Sequence, residues 1–351
     1  MKQRIVFLDY LRVMACFMVL IVHATEPYYL DPEGYLHIAT RSDSFWVAFL
    51  DSAARSCVPL FVLASSYLLF PLKTDTLSFF RRRVSRILVP FVVWAFVYTG
   101  LYGGRWLELA FNFPATGGHL WFVPMLAGLY LLMPLLSPWA EKASEREVRG
   151  WLCLWLVTTL FPFVRRLSQH LLGDPSFGAV PYLWGEAPWN GFGAFHYVSG
   201  FFGYLLIGHY FRRFVPALSW RRTLTLAVPL WIFGMAVMMA GFYFRIPAAG
   251  GYPVHQPYAA AVDLEMSIEY CGIGVCAAVV AMFLVVRKLS AAGWFYDHVI
   301  RPASEASYGT YLLHMIILTP IVGLVKGRLP TPVCVVLVAA LTFVSVFSGM
   351  F

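Results

Sequence analysis

One stretch, Phe7 to Glu26 (FLDYLRVMACFMVLIVHATE), is apolar and long enough to cross a bilayer, yet it holds Asp9, Arg12 and His23. A charge at bilayer depth costs at least about 2.5 kcal/mol, so each intramembrane ionisable group marks a functional site and calls for a partner. Arg12 and His23 are eleven positions apart, which on a helix puts them roughly 20° apart around the axis and roughly 16 Å apart along it. They share one stripe, continued by Cys16 and Val19, that reads as the lining of a cavity. Asp9 lies one turn before Arg12 and is spaced to neutralise it near the membrane surface. A plainer reading makes Lys2, Arg4 and Arg12 cytoplasmic anchors and puts His23 in the far headgroup layer. A second span with its own buried basic residue argues against that.

The rest of the chain fits the same setting. Of its 351 residues 60% are hydrophobic and 13% charged, with a mean hydropathy of +0.70, whereas a soluble domain is about 25% charged. The first apolar run has no small-residue cleavage site and reads as a retained helix rather than a signal peptide. Apolar windows predict an all-α, polytopic transmembrane bundle of about ten helices in a single domain. Their approximate limits are 7–25, 45–70, 87–103, 119–136, 151–168, 196–211, 223–244, 264–286, 305–325 and 331–350. With the N-terminus cytoplasmic, the inside segments hold Lys2, Arg4, Lys73, Arg81, Arg82, Arg83, Arg86, Lys142, Arg146, Arg149, Arg212, Arg213, Arg221, Arg222, Arg287, Lys288 and Arg301. Outside loops hold fewer: Arg41, Arg105, Arg165, Arg166, Arg245, Lys326 and Arg328. This bias supports the N-in orientation. The net charge of +8 therefore reports topology, and no nucleic-acid role follows. The six cysteines have no CxxC or zinc spacing, so neither disulfides nor a metal are expected. The last apolar run ends close to Phe351 without a basic flank, which leaves room for a further helix or tail.

Other polar groups recur inside the spans. In SFWVAFLDSAARSCVPLFVLASSYLLFP, Asp51 and Arg55 form an i, i+4 pair, and Pro59 frees a carbonyl mid-span. The serines there suit helix packing. The arginines of LSFFRRRVSRILVPF, with Arg82, Arg83 and Arg86 among them, fit either a positive-inside stop or the phosphates of a nucleotide-containing donor. His119 and Trp121 sit at the outer interface of the fourth span. There His119 either orients a polar acceptor or is hydrated, and Trp121 suits an interfacial belt. Glu265 and Glu269 at i, i+4 are candidate partners for a basic group across the bundle. Ser307, Tyr311 and His314 form a second polar stripe. The outer loops 26–44, 165–195 and 245–263 are rich in Tyr and Trp and suit either a sugar or an interfacial belt.

In order along the chain, LDYLRVMACFMVLIVHA with its Arg-x10-His spacing, SAARSCVPLFVLASSYLL, RRRVSRILVP, HLWFVPMLAGLYLLMP, FGYLLIGHYF and ASYGTYLLH resemble the acyltransferase-3 family of integral membrane acyltransferases. Within it they look most like the enterobacterial-common-antigen O-acetyltransferase group. One departure is Ser66, where the family usually carries Gly at a close helix approach. The resemblance implies transfer of an acyl group, most often acetyl, from cytoplasmic acyl-CoA to a hydroxyl of a glycan or lipid-linked saccharide, in the bacterial inner membrane. It implies that His23 is catalytic and Arg12 its companion. On that reading Arg12, Arg82, Arg83 and Arg86 hold the donor, and Arg55, His119, Trp121, Glu265, Glu269, Tyr311 and His314 are candidates for substrate or oxyanion contacts. His23 acts as general base or as acyl carrier. With no soluble esterase-like domain expected beside the bundle, transfer would have to be completed in the bundle or by another protein. The partners expected are acyl-CoA, the saccharide and membrane lipids; monomer and homodimer both stay open. The competing class is a proton-coupled or saccharide transporter, which also needs intramembrane ionisable groups, although no inverted repeat or matching broken helices are visible. A non-catalytic envelope protein would not need the motif. GxSxG, P-loop and HExxH signatures are absent from the sequence.

Overall fold

The computed structural model describes residues 4–111, 118–161, 170–173, 193–246 and 251–349. Fourteen helices account for most of them, and the longest form a polytopic bundle. Helix α1 (Val6–Thr25) runs unbroken through its middle, packed on α2 (Arg41–Ala54), α3 (Cys57–Leu69), α13 (Arg301–Val325) and α14 (Thr331–Gly349). The others are α4 (Thr76–Arg83), α5 (Val89–Leu101), α6 (Trp106–Phe111), α7 (Phe122–Lys142), α8 (Glu145–Thr158), α9 (Phe202–Arg213), α10 (Trp220–Arg245), α11 (Tyr258–Glu265) and α12 (Ile273–Val286). Among the described residues, seven helices are long and apolar enough to cross a membrane, or eight if the bent pair Tyr258–Ile268 and Ile273–Val286 is one span.

Three of the ten expected spans differ from that reading. The fifth is helical over Glu145–Thr158, and its 162–169 end, with Arg165 and Arg166, lies outside the described residues. The sixth is the twelve-residue α9, only about 18 Å long and too short to span alone. The eighth is broken between Glu265 and Ile273, so Glu265 and Glu269 do not share one helical face.

Prolines decide several of these shapes. The second span turns at Arg55 and Ser56, where the Pro59 ring would meet the Arg55 carbonyl four residues back. The wide π-helical turns Val84–Leu88 and Tyr296–Ile300 each end just before a proline, Pro90 and Pro302, and relieve the same clash. Tyr308 donates its hydroxyl to the Ile87 carbonyl in the first of these turns at 2.7 Å.

Close approaches rest on small residues, as expected where lipid supplies no hydrophobic drive between helices. A Cβ on Gly234 of α10 would stand 2.5 Å from the Gly274 carbonyl of α12. Ser66 keeps the tight contact of α3 with α9, because Gly208 faces it without a side chain and Ser66 donates its hydroxyl to the Leu205 carbonyl. At one end of the bundle, strands β1 (Leu36–Ile38) and β2 (Val254–Gln256) pair antiparallel, His37 opposite His255. They join the two aromatic loops and close a small core around Tyr29, Val47, Phe242 and Leu264. At the opposite end Arg4, Lys73, Arg82, Arg86 and Arg212 gather, although they are far apart in sequence.

Candidate active site

Helix α1 stops where Pro27 cannot continue it, and this leaves Glu26 one turn beyond His23. Its Oε1 lies 2.9 Å from His23 Nδ1. A carboxylate can only accept here, so Nδ1 carries the proton and Nε2 presents a lone pair. Two more imidazoles close on this ring. His314 of α13 is 5.1 Å from His23 and His119 is 6.4 Å from it, centroid to centroid. His119 comes from the tight turn Gly118–Trp121 that leads into α7. Its backbone carbonyl accepts the Tyr311 hydroxyl at 2.8 Å, and its ring packs 4.7 Å from Tyr98. Among the described residues, no group of three or more His, Cys, Asp or Glu is arranged to hold a metal ion.

A cavity of about 250 Å³ begins at this cluster. His23, His119 and Trp121 line one end, Arg12, Arg83 and Arg86 the other, and Val19, Phe61, Ser65, Tyr130, Ser307 and Tyr311 lie among the residues between them. Since α1 is unbroken, Arg12 and His23 keep their separation of about 16 Å along the helix. Each end also adjoins a second cavity with which it shares lining residues. Beyond His23 lies a vestibule of about 420 Å³ lined by Glu26, Tyr98, Tyr102, His119 and Trp121. Beyond Arg12 lies one of about 930 Å³ lined by Arg4, Arg12, Lys73, Arg82, Arg83, Arg86 and Arg212, with only Asp9 and Glu305 as carboxylates. That excess of cations suits a polyanion, and arginine forks match phosphate oxygens.

Asp9 keeps the expected ion pair with Arg12, but its hydrogen bonds go elsewhere. Arg4, not Arg12, grips it, with Nε and Nη2 at 2.6 and 3.0 Å, while Tyr296 and Ser304 each donate a hydroxyl at 2.7 Å. The hydrogen bonds that Arg4 donates to Asp9 and to Glu305 hold its guanidinium above the ordinary arginine range. Arg12 comes no nearer to Asp9 than 3.6 Å, and its donors stay available to the cavities.

A family model described as an acyltransferase domain matches residues 5–349. The chain belongs to the acyltransferase-3 family. No curated protein and no solved structure matches it. The protein is thus a multi-pass membrane acyltransferase, and the cavity system runs through the middle of its acyltransferase domain.

The remaining candidates divide into three groups. Arg82 lines the basic vestibule, bonded to Thr74 at 3.0 Å, while Arg83 packs over Phe79 and Tyr130. His314 touches His23 but is itself fully buried behind the cavity wall. Arg55, Glu265 and Glu269 are absent from the lining of all three cavities. Arg55 pairs with Asp51 at 2.8 Å and stacks on Tyr270, donating to its hydroxyl at 3.3 Å. It therefore stands behind Tyr270, which does line the cavity. Glu265 accepts the Tyr29 hydroxyl at 3.0 Å. Sequence reasoning passed over Glu26 and Tyr98. Glu26 had a readable signal, an acid three residues after His23 and one before the helix-ending Pro27. Tyr98 had none, because α5 meets His119 only in the folded bundle.

Proposed function

We propose that the protein is an O-acyltransferase of the bacterial inner membrane. It moves an acyl group, acetyl in the first instance, from cytoplasmic acyl-CoA to a hydroxyl of a glycan or lipid-linked saccharide on the other side. The observation that carries this reading is the single cavity with arginines at one end and the Glu26-held His23 at the other. On this reading Arg12, Arg83 and Arg86, with Arg82 behind them, take the donor's phosphates, and the pantetheine arm brings the thioester along the cavity to His23. The acceptor sugar enters from the other vestibule, where Trp121 and Tyr102 offer exposed ring faces for stacking.

The lone pair on His23 Nε2 accepts the proton of the acceptor hydroxyl as its oxygen attacks the thioester carbonyl. Glu26 stabilises the imidazolium that forms and keeps the ring turned to the cavity, much as a triad carboxylate does. The tetrahedral intermediate then expels the thiolate of CoA, which takes the proton back from Nε2. The same exposed Nε2 would serve if His23 carried the acyl group, with attack by the imidazole first and by the hydroxyl second.

The test is release of free CoA from acetyl-CoA by purified protein in nanodiscs, with and without a glycan extract. Acceptor-dependent release that falls about 1000-fold in His23→Ala is expected for the loss of a general base. Equal release by His23→Ala and the wild type would overturn the assignment. A covalent intermediate would show as labelled acetyl retained on the protein, but not on His23→Ala, when acceptor is withheld.

A further inference from the structure

His314 and His119 each keep a nitrogen that the reaction scheme does not use. His314 Nδ1 lies 2.6 Å from the Tyr311 carbonyl. A carbonyl only accepts, so this nitrogen carries the ring proton and Nε2 is an acceptor. That Nε2 has no partner, and the residue is 0% exposed. The Nε2 of His119 is also buried and unpartnered. A buried polar atom without a partner is costly, and native structures rarely leave one in that state. The two rings are nearly perpendicular, 87°, with centroids 5.1 Å apart. A linear N–H···N bond between two imidazoles sets their centroids about 5 Å apart, so the spacing of the two rings is that of such a bond.

We propose that His314 is a positioning residue that accepts a hydrogen bond from His119 Nε2–H. His119 then carries its lone pair on Nδ1, the nitrogen left to face the cavities that this residue lines. A chain of donors and acceptors results. The Tyr311 carbonyl orients His314, His314 sets the tautomer of His119, and His119 Nδ1 receives the acceptor hydroxyl beside His23. In that tautomer His119 is an acceptor toward substrate and not an oxyanion donor. The cation that forms during transfer stays on His23, because Glu26 is the carboxylate bonded to this cluster. Like charges on adjoining rings repel each other, so His119 and His314 stay neutral.

The part played by the acceptor hydroxyl rests on the acyl-transfer reading, but the tautomer of His119 is observable without turnover. The first measurement is the 15N spectrum of histidine-labelled protein in nanodiscs, assigned with His119→Gln. Wild type is expected to show His119 protonated on Nε2, and a proton on Nδ1 would overturn the proposal. The second measurement compares two polar variants. Glutamine reaches the position of Nε2, whereas asparagine reaches only that of Nδ1. His314→Gln should stay within about threefold of wild type. His314→Asn, which keeps the bond to Tyr311 but lacks the acceptor, should lose about 100-fold in kcat/KM for the saccharide, with KM for acyl-CoA unchanged. Equal activity of the two variants at equal thermal midpoints would refute the positioning role. An Nε2–H tautomer in a protein that transfers no acyl group would leave the hydrogen bond standing and overturn the acyl-transfer reading alone.

Discussion

Helix α1, and α2 with the turn that ends it, each carry an acid and a base one turn apart, Asp9 with Arg12 and Asp51 with Arg55, and the two pairs end in opposite states. Asp51 and Arg55 close on each other at 2.8 Å, buried, with Thr25 also donating to Asp51 at 3.2 Å. Asp9 and Arg12 stay 3.6 Å apart because Arg4, Tyr296 and Ser304 already satisfy the carboxylate. The consequence is a guanidinium fixed in the bundle by a neighbouring charge yet left with donors facing two cavities. Spacing along a helix thus decides which groups are able to meet. The partners that arrive from other helices decide whether a pair holds the bundle together or holds a ligand.

That contrast can be broken from either side. The largest effect is expected from Arg55→Ala, which strands Asp51 without its counter-charge and should cost about 3–5 kcal/mol. Thermal unfolding in detergent would show it, and the double variant Asp51→Leu with Arg55→Met should recover most of the loss. Arg12→Ala should leave the unfolding midpoint unchanged, since Asp9 keeps three other donors. It should instead lower kcat/KM for acyl-CoA roughly 10- to 150-fold, the value of a charged hydrogen bond of about 1.5–3 kcal/mol. If Arg12→Ala unfolds the protein like Arg55→Ala, the two pairs are equivalent and the comparison fails. Glu26→Gln keeps an acceptor for His23 Nδ1–H but removes the charge, and kcat should fall about tenfold. A drop in substrate affinity without loss of kcat would instead assign Glu26 to the acceptor. The smallest effect is expected of Arg4→Ala. Arg12 would then turn toward the vacated Asp9, and KM for acyl-CoA should rise about threefold, the scale of a partly exposed charge pair.

Much of the site was legible because α1 is one continuous helix, and helical geometry fixes the relation of Arg12 to His23 whatever surrounds it. The same holds for Ser307, Tyr311 and His314 on α13. Reading failed where helices break. Pro59 divides the second span just after Arg55, and Arg55 faces Asp51 and Tyr270 instead of the cavity. The break between Glu265 and Ile273 removes the shared face expected of Glu265 and Glu269. The basic vestibule was half legible: the arginines of RRRVSRILVP stand out in the sequence, but their convergence with Arg4 and Arg212 is a property of the packed bundle.

The sequence by itself determined a polytopic membrane bundle, the acyltransferase-3 resemblance that the family match confirms, and the stripe that carries Arg12 and His23. These follow from apolar run length, residue order and the period of one helix, all local quantities. Only the tertiary structure decided that Arg4 takes Asp9, that Arg55 is withdrawn behind Tyr270, and that His119 and His314 close on His23. Those outcomes depend on which side chains from distant segments reach a buried charge or ring nitrogen first. Inside a bilayer no water stands in for a missing partner, so the packing of the helices settles each pairing.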